Sequence, residues 1–244
     1  MKLIQSEETE ATAEATAEAR PEASANAAPE APTARRLETR TRLLDAATEV
    51  FAEEGVQAAS VEHVCARAGF SRGAFYSNFS TKEELFLAVL EREFDRRARE
   101  TEELIAELRP ALQELQGRIA PEQAAQYITR FIAPKESDRG WAMLETEFTL
   151  LAMRDPEIAP GYVWLVERSM SNYAALIESA VTAAGRRFTL PVDRATELIA
   201  GMCERAIRGA ALDAGGTGEG GAVDALPHRI GELLLALTIP SGTD

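Results

Sequence analysis

Between Ser60 and Lys82 the chain reads SVEHVCARAGFSRGAFYSNFSTK, and this span holds three helix-start signals and a glycine stop. Ser60, Ser71 and Thr81 carry side-chain oxygens suited to accept from the free N–H groups of a first helical turn. Gly69 supplies the left-handed residue that ends a helix. Signals this close leave room for short helices only, and the span lacks the alternation of a strand. The chain must therefore form two short helices joined by a tight turn, with a third helix capped directly behind them.

Such a unit needs inner residues that lock the helices at a steep angle. Phe70, Phe75 and Phe79 supply them, Ala66 and Ala68 permit close approach, and Gly69 permits the turn. Its outer residues then become informative. Ser71 caps a second helix that opens with Arg72, whose guanidinium matches the O6 and N7 edge of guanine. Gly73 costs about 1 kcal/mol in a helix relative to Ala, and it leaves space for a backbone to approach a base or a thymine methyl. Tyr76 and Ser77 extend the same face. Thr81 and Glu84 form a capping box, inside which the cation of Lys82 opposes the helix dipole. A phosphate shared between Lys82 and the free N–H groups there removes that conflict. Ser60 is placed to do the same for the helix before.

The flanking sequence is helical. Leu43, Leu44, Ala47, Val50 and Phe51 form one apolar stripe from about Thr39, and Gly55 ends it. Val61, Val64, Cys65 and Ala68 are the inner face of the following helix. Cys65 reads as a small buried hydrophobe. Beyond Lys82, Leu85, Phe86, Val89, Leu90 and Phe94 carry an amphipathic helix to about Leu108, before Pro110. Further helices are expected at about 121–133, 139–154, 157–184, 191–211 and 223–237, with a flexible loop at 215–221 and Pro227 delaying or kinking the last. The fold class expected is all-α, and no strand is predicted.

Charge sharpens the reading. The whole chain carries −14, but residues 1–34 hold −5, residues 35–99 are neutral and residues 100–244 hold −9. A neutral module with clustered arginines can touch nucleic acid at chosen points while its acidic flanks discourage general adhesion. Residues 1–34 are Ala, Glu, Thr and Pro with almost no large apolar residue after Ile4, which predicts a disordered acidic arm. Two distant cysteines, Cys65 and Cys203, and two histidines, His63 and His228, offer neither a disulfide framework nor a metal-ligand spacing. No metal, no cofactor and no catalytic residue is expected, and no apolar run suits a membrane span. A reducing cytoplasm is the expected compartment.

The stretch LLDAATEVFAEEGVQAASVEHVCARAGFSRGAFYSNFSTKEELF resembles the TetR family of one-component regulators over about Thr39 to Leu90. The matching elements include the Ala-Ala and Phe of the first helix, Ser60-Val61, Ala68-Gly69, Ser71, Gly73, Tyr76, Phe79 and Lys82-Glu83. The resemblance implies a homodimer on a palindromic double-stranded DNA operator, usually acting as a repressor. It also implies a larger helical C-terminal domain that dimerises and holds a small-molecule effector. By position, Ser60, Ser71, Arg72, Gly73, Tyr76, Ser77, Asn78 and Lys82 would face DNA. Asn78 departs from the His or Tyr often found there, and Phe70 and Phe75 replace smaller aliphatic residues.

The expected organisation is an arm over 1–34, a helix-turn-helix domain over 35–84 and a regulatory and dimerisation domain over 85–244. In the last, Trp141, Phe148, Met153, Tyr162, Trp164, Tyr173 and Met202 are candidates to line a pocket for a largely apolar or aromatic effector. Met143, Met170 and Cys203 accompany them. Val223, Leu226, Ile230, Leu233, Leu234 and Leu237 form a stripe on the final helix. Leu198, Met202, Ala206 and Ala210 form a small-residue face on the helix before. Together they predict a four-helix interface between two subunits. The alternatives are an all-α enzyme containing this motif, or a helical partner-binding protein without DNA binding. The sequence offers neither a nucleophile–base arrangement nor a phosphate loop in support of the enzyme.

Overall fold

A computed structural model describes residues 34–132, 137–213 and 225–242. The expected arm, the 215–221 loop and Val223 fall outside them, as does the side chain of Ala210. Helices dominate the described residues. They run α1 (Ala34–Glu54), α2 (Val61–Ala68), α3 (Arg72–Tyr76), α4 (Lys82–Glu114), α5 (Pro121–Ile132), α6 (Ser137–Arg154) and α7 (Ala159–Ala183). Then come β1 (Arg186–Phe188), α8 (Val192–Asp213), α9 (Leu226–Leu237) and β2 (Thr238–Pro240). The fold is all-α, with an N-terminal helix-turn-helix unit and a helical C-terminal domain.

Two expectations are corrected. Helix α4 does not stop before Pro110 but continues through it to Glu114. Proline forfeits one backbone hydrogen bond and crowds the preceding turn. The last turn is held by burial instead, since Leu108, Leu112, Leu115 and Ala184 share a small core. Where no strand was predicted, β1 and β2 form an antiparallel pair with Arg187 opposite Ile239. Three residues per strand are too few to display a period of two. The pair is held by Arg186, whose guanidinium donates to Thr238 Oγ1 (2.8 Å), Thr238 O (2.7 Å) and Gly117 O (2.8 Å). Gly185 (φ +73°) and Gly117 (φ +80°) meet back to back there, and a Cβ on either would fall within 2.8 Å of the other's backbone. Pro227 sits in the first turn of α9 and marks its delayed start.

The largest core crosses the boundary expected at residue 84. Leu43, Val50, Phe51, Val64, Phe75, Leu85, Phe86, Val89 and Leu90 of α1–α4, with Phe79 between α3 and α4, share it with Trp141, Leu144 and Phe148 of α6 and Leu165 of α7. Phe51, Phe86 and Phe148 meet edge to face, with centroids 4.6, 5.7 and 6.5 Å apart. This is the geometry that ring quadrupoles favour. From the same helix, Glu147 Oε2 accepts the Val56 backbone N–H at 2.5 Å and so closes the loop after α1.

Candidate nucleic-acid interface

Each short helix begins as its sequence dictates. Ser60 Oγ accepts from His63 N (3.1 Å), Ser71 Oγ from Ala74 N (3.3 Å) and Thr81 Oγ1 from Glu84 N (3.0 Å). Glu84 reaches back, but to the N–H of Ser80 (2.6 Å) rather than that of Thr81. Gly69 adopts φ 72°, and the chain turns there while the Phe70 N–H bonds Cys65 O at 2.9 Å. Phe75 and Phe79 are fully buried beneath α3.

These anchors turn Ser71, Arg72, Gly73, Tyr76 and Ser77 outward, and all five are exposed. Arg72 Nη1 pairs with Glu62 Oε1 at 2.7 Å, and its guanidinium lies 5.8 Å from the Tyr76 ring centroid. An ion pair this exposed is worth little, so the guanidinium can be exchanged onto a stronger partner. Gly73 is the most telling of the five. A Cβ there would meet only Ser71 Oγ at 3.7 Å, and its φ is not in the left-handed region. Nothing inside the protein calls for glycine at that position.

Two expected contacts sit differently. Asn78 is only 8% exposed and is not on the outward face. Its Nδ2 donates to Ala74 O at 2.8 Å, which closes the end of α3. Lys82 is half-buried. Its Nζ donates to Gln57 O at 3.3 Å and lies 4.9 Å from the Phe86 ring centroid, and burial lowers its pKa. Its place at a helix start therefore has an internal reason beside any phosphate.

Two residues that sequence reasoning missed brace the unit. Arg40 donates to Asn78 O (3.0 Å) and stacks 4.2 Å from the Phe79 centroid. Arg42 donates to Ala68 O (2.9 Å) and stacks 4.7 Å from the Phe70 centroid. Each satisfies a carbonyl at a helix end and covers an aromatic ring, a dual use that suits the planar guanidinium. Their contacts lie 26 and 38 residues away in sequence, so no local signal announced them.

In the C-terminal half the expected pocket residues divide. Trp141 is buried, with Phe94 5.3 Å away and the Arg97 guanidinium 5.0 Å from its ring. Tyr162 Oη and Thr149 Oγ1 are 2.7 Å apart, and burial raises the pKa of Tyr162 and of Tyr173. Glu145, which was not anticipated, lies among them. Burial pushes its carboxyl up, and Glu204 adds to the effect while Arg208 and Arg97 oppose it. Phe148 is buried in the aromatic core that it shares with the helix-turn-helix unit. Met153 and Trp164 are 77% and 55% exposed, on the outside of the bundle. Met202 packs beside Cys203, whose thiol burial pushes up to about 11, against Ile128, Ala206, Leu226 and Ile230.

That last cluster corrects part of the expected subunit interface. Ala206, Leu226 and Ile230 are buried within their own subunit, with Leu234 packed against them. Gly231 lets α9 approach α5 closely, since a Cβ there would lie 3.3 Å from Ala124. Leu233 and Leu237 remain half-buried and Leu198 is 51% exposed.

A short helix with an open outer face, braced on a three-helix unit and joined to a helical bundle, is a helix-turn-helix arrangement. Residues 43–89 match the profile of bacterial regulatory proteins, tetR family. The chain is 48% identical over 60 residues to the transcriptional activator FasR of Mycolicibacterium smegmatis, covering 25% of this chain and 27% of that one. It is 47% identical over 53 residues to the regulator SrpR of Pseudomonas putida, covering 22% and 25%. The matched stretch thus spans about a quarter of these curated relatives. The fold extends further. A protein assigned to the TetR family from Mesorhizobium loti superposes with TM-score 0.64 at 18% identity, over 85% of this chain and 100% of that one. FadR of Bacillus subtilis, in complex with stearoyl-CoA, superposes with TM-score 0.53 at 18% identity, over 80% and 97%. Residues 43–89 thus resemble the N-terminal module of bacterial regulatory proteins of the tetR family, and the fold is shared with a solved protein assigned to that family.

Proposed function

We propose that this protein is a homodimeric transcription regulator that binds a palindromic DNA operator through α3 and acts as a repressor. A small, largely apolar or aromatic effector held by the C-terminal bundle releases it. The observation that carries the reading is Gly73, a glycine with open space outside it and no internal reason to be glycine, between Arg72 and Tyr76 on an exposed face. Such a helix can lie in a major groove with its first residues on base edges. The effector's place is inferred from the half-buried polar groups Glu145, Tyr162 and Tyr173 beside the buried Trp141, where the aromatic rings suit an apolar ligand and Glu145 offers one polar anchor.

Release follows from α6. One face of it carries Glu145 and Thr149, and another carries Glu147 and Phe148 into the helix-turn-helix unit. Packed aromatic cores do not deform continuously, so a ligand that moves α6 moves the module. Two modules must present their α3 helices about 34–36 Å apart to bind successive turns of duplex. A ligand that favours another spacing lowers DNA affinity by binding the two states unequally. FadR, on the same fold, is a protein seen with stearoyl-CoA. FasR is an activator, so the sign of regulation is tested by reporter expression upstream of the neighbouring gene.

DNA binding is tested by fluorescence anisotropy with selected and random duplexes. Arg72→Ala should relax sequence preference, and Lys82→Ala should weaken binding uniformly and flatten its salt dependence. If neither changes binding, the assigned face is wrong.

A further inference from the structure

We propose that Glu62 is a specificity residue of the DNA-binding surface, whose carboxylate holds the Arg72 guanidinium ready for a guanine edge and keeps it off the phosphates. The proposal rests on the DNA-binding reading above and adds a positioning residue to it.

Three observations converge on Glu62. It is the one acidic residue between Ser60 and Lys82. A surface that meets a polyanion gains general affinity from having no acid at all, so a lone carboxylate there works against adhesion. Second, this acid is turned onto the reading helix: its Oε1 accepts from Arg72 Nη1 at 2.7 Å, across the turn between α2 and α3. The helix dipole favours an acid in the first turn of α2, but it gives no reason for that acid to bond a residue of α3. The other arginine of this helix pair, Arg67, takes its partners from α1, Glu49 at 3.0 Å and Glu53 at 2.6 Å, so the two sets of charges are separate. Third, Arg72 opens α3 with Gly73 directly behind it, and the Tyr76 ring centroid lies 5.8 Å from its guanidinium. A long side chain beside a glycine has many rotamers within reach, and each one lost on binding costs affinity. Glu62 and Tyr76 narrow them before DNA arrives.

The chemistry explains how a weak, exposed pair can select a base. The guanidinium is planar, and Nη1 is engaged by Glu62. Its other edge, Nε with Nη2, has the spacing of guanine O6 and N7. Guanine is neutral, so Arg72 can meet it while the pair with Glu62 stays in place. A phosphate can take Nη1 only by coming beside the carboxylate, which repels it. Specificity is a difference of affinities, and a repulsive group that acts against the wrong partner raises it as surely as a new contact to the right one.

The test uses the full chain, a duplex that wild-type chain selects from a random pool, and a random-sequence duplex, with binding followed by anisotropy against salt. Glu62→Gln keeps the shape and removes the charge. It should bind the random duplex several-fold more tightly, and the slope of log K against log salt should steepen by about 0.9 per subunit as Arg72 takes a phosphate. Its preference for the selected duplex should fall about tenfold, within the range that one paired arginine–guanine contact supplies. In an Arg72→Ala background the same substitution should change the preference no further, a comparison that cancels any effect on folding. If Glu62→Gln alters both duplexes by the same factor, or alters neither, the positioning role is overturned while the DNA-binding reading stands. A loss of preference that persists without Arg72 overturns it as well. If wild-type chain binds no duplex even at low salt, the DNA-binding reading falls and this role with it.

Discussion

The helix-turn-helix unit and the C-terminal bundle are built on different principles. The first has one continuous aromatic core whose large side chains, Phe75, Phe79 and Phe148 among them, are under 2% exposed. The second is divided into small clusters, one around Leu108 and Leu112 and one around Ile128 and Ile230, with partly buried charge between its helices. On the proposed function the first region reads DNA and must hold a few side chains in fixed positions, which a closed core achieves. The second would then be a sensor, which must have more than one arrangement within reach, and broken-up packing with partly buried polar groups lowers the cost of moving between them. Helix α6 belongs to both, and the most informative experiments act on it or on one region alone.

The largest effect is expected from Phe148→Ala. Removing a fully buried ring costs about 3–5 kcal/mol, and here the cavity opens inside the DNA-binding module although the residue lies on a C-terminal helix. Urea denaturation should register the loss, and duplex binding should fall in parallel. If stability falls while DNA affinity holds, the two regions are independent and the proposed route through α6 is wrong.

Arg186→Ala acts on the bundle alone. It removes hydrogen bonds to Thr238 and Gly117, and charged hydrogen bonds are worth about 1.5–3 kcal/mol each, less whatever water restores. Hydrogen exchange should quicken in β1 and β2 and at the C-terminal end of α4, while the amides of α2 and α3 keep their protection. Spread of the effect into α3 would mean that the far end of α4 also supports the reading head.

Gly73→Ala acts on the module alone, and in two directions. The open surroundings of residue 73 allow the extra methyl, so stability should rise by up to about 1 kcal/mol. Duplex binding should weaken, because the methyl occupies the space left for the groove. A variant that is more stable and binds unchanged would show that α3 does not approach DNA at this position.

The same contrast explains what could be read from the sequence. The caps at Ser60, Ser71 and Thr81, the stop at Gly69 and the outward set Arg72, Gly73, Tyr76 and Ser77 obey rules that act over three or four residues. The braces Arg40 and Arg42 and the Glu147–Val56 contact do not, since the last joins residues 91 apart. Burial in the bundle was equally hidden. Phe148, Met153 and Trp164 all suit an apolar lining by type, yet one fills the module's core and two face solvent. An apolar stripe tells which side of a helix is buried but not what buries it, so Leu226 and Ile230 read as a dimer seam while packing against α5 and α8.

The smallest and most specific effect concerns Glu145. Burial, then the neighbouring Glu204, raises its pKa above the ordinary carboxyl value of 4.5, with Arg208 and Arg97 opposing. The fold therefore disfavours its charged form. Below the ordinary value the carboxyl is protonated whether the chain is folded or not, and there is no penalty. As the pH rises from there through the raised pKa, the folded state holds the proton longer than the unfolded chain, so stability falls, and above it the penalty is complete. Glu145→Gln removes the charge and keeps the shape. Thermal unfolding should show the variant to be more stable than wild type at neutral pH, with the gap closing as the pH is lowered into the ordinary carboxyl range. Carboxylates with depressed values, such as Glu93, titrate alike in both proteins and cancel in the comparison. A gap that stayed constant with pH would mean that Glu145 titrates alike in the folded and unfolded chain. The bundle would then lack the partly buried, destabilised charge that sets it apart from the closed core of the helix-turn-helix unit.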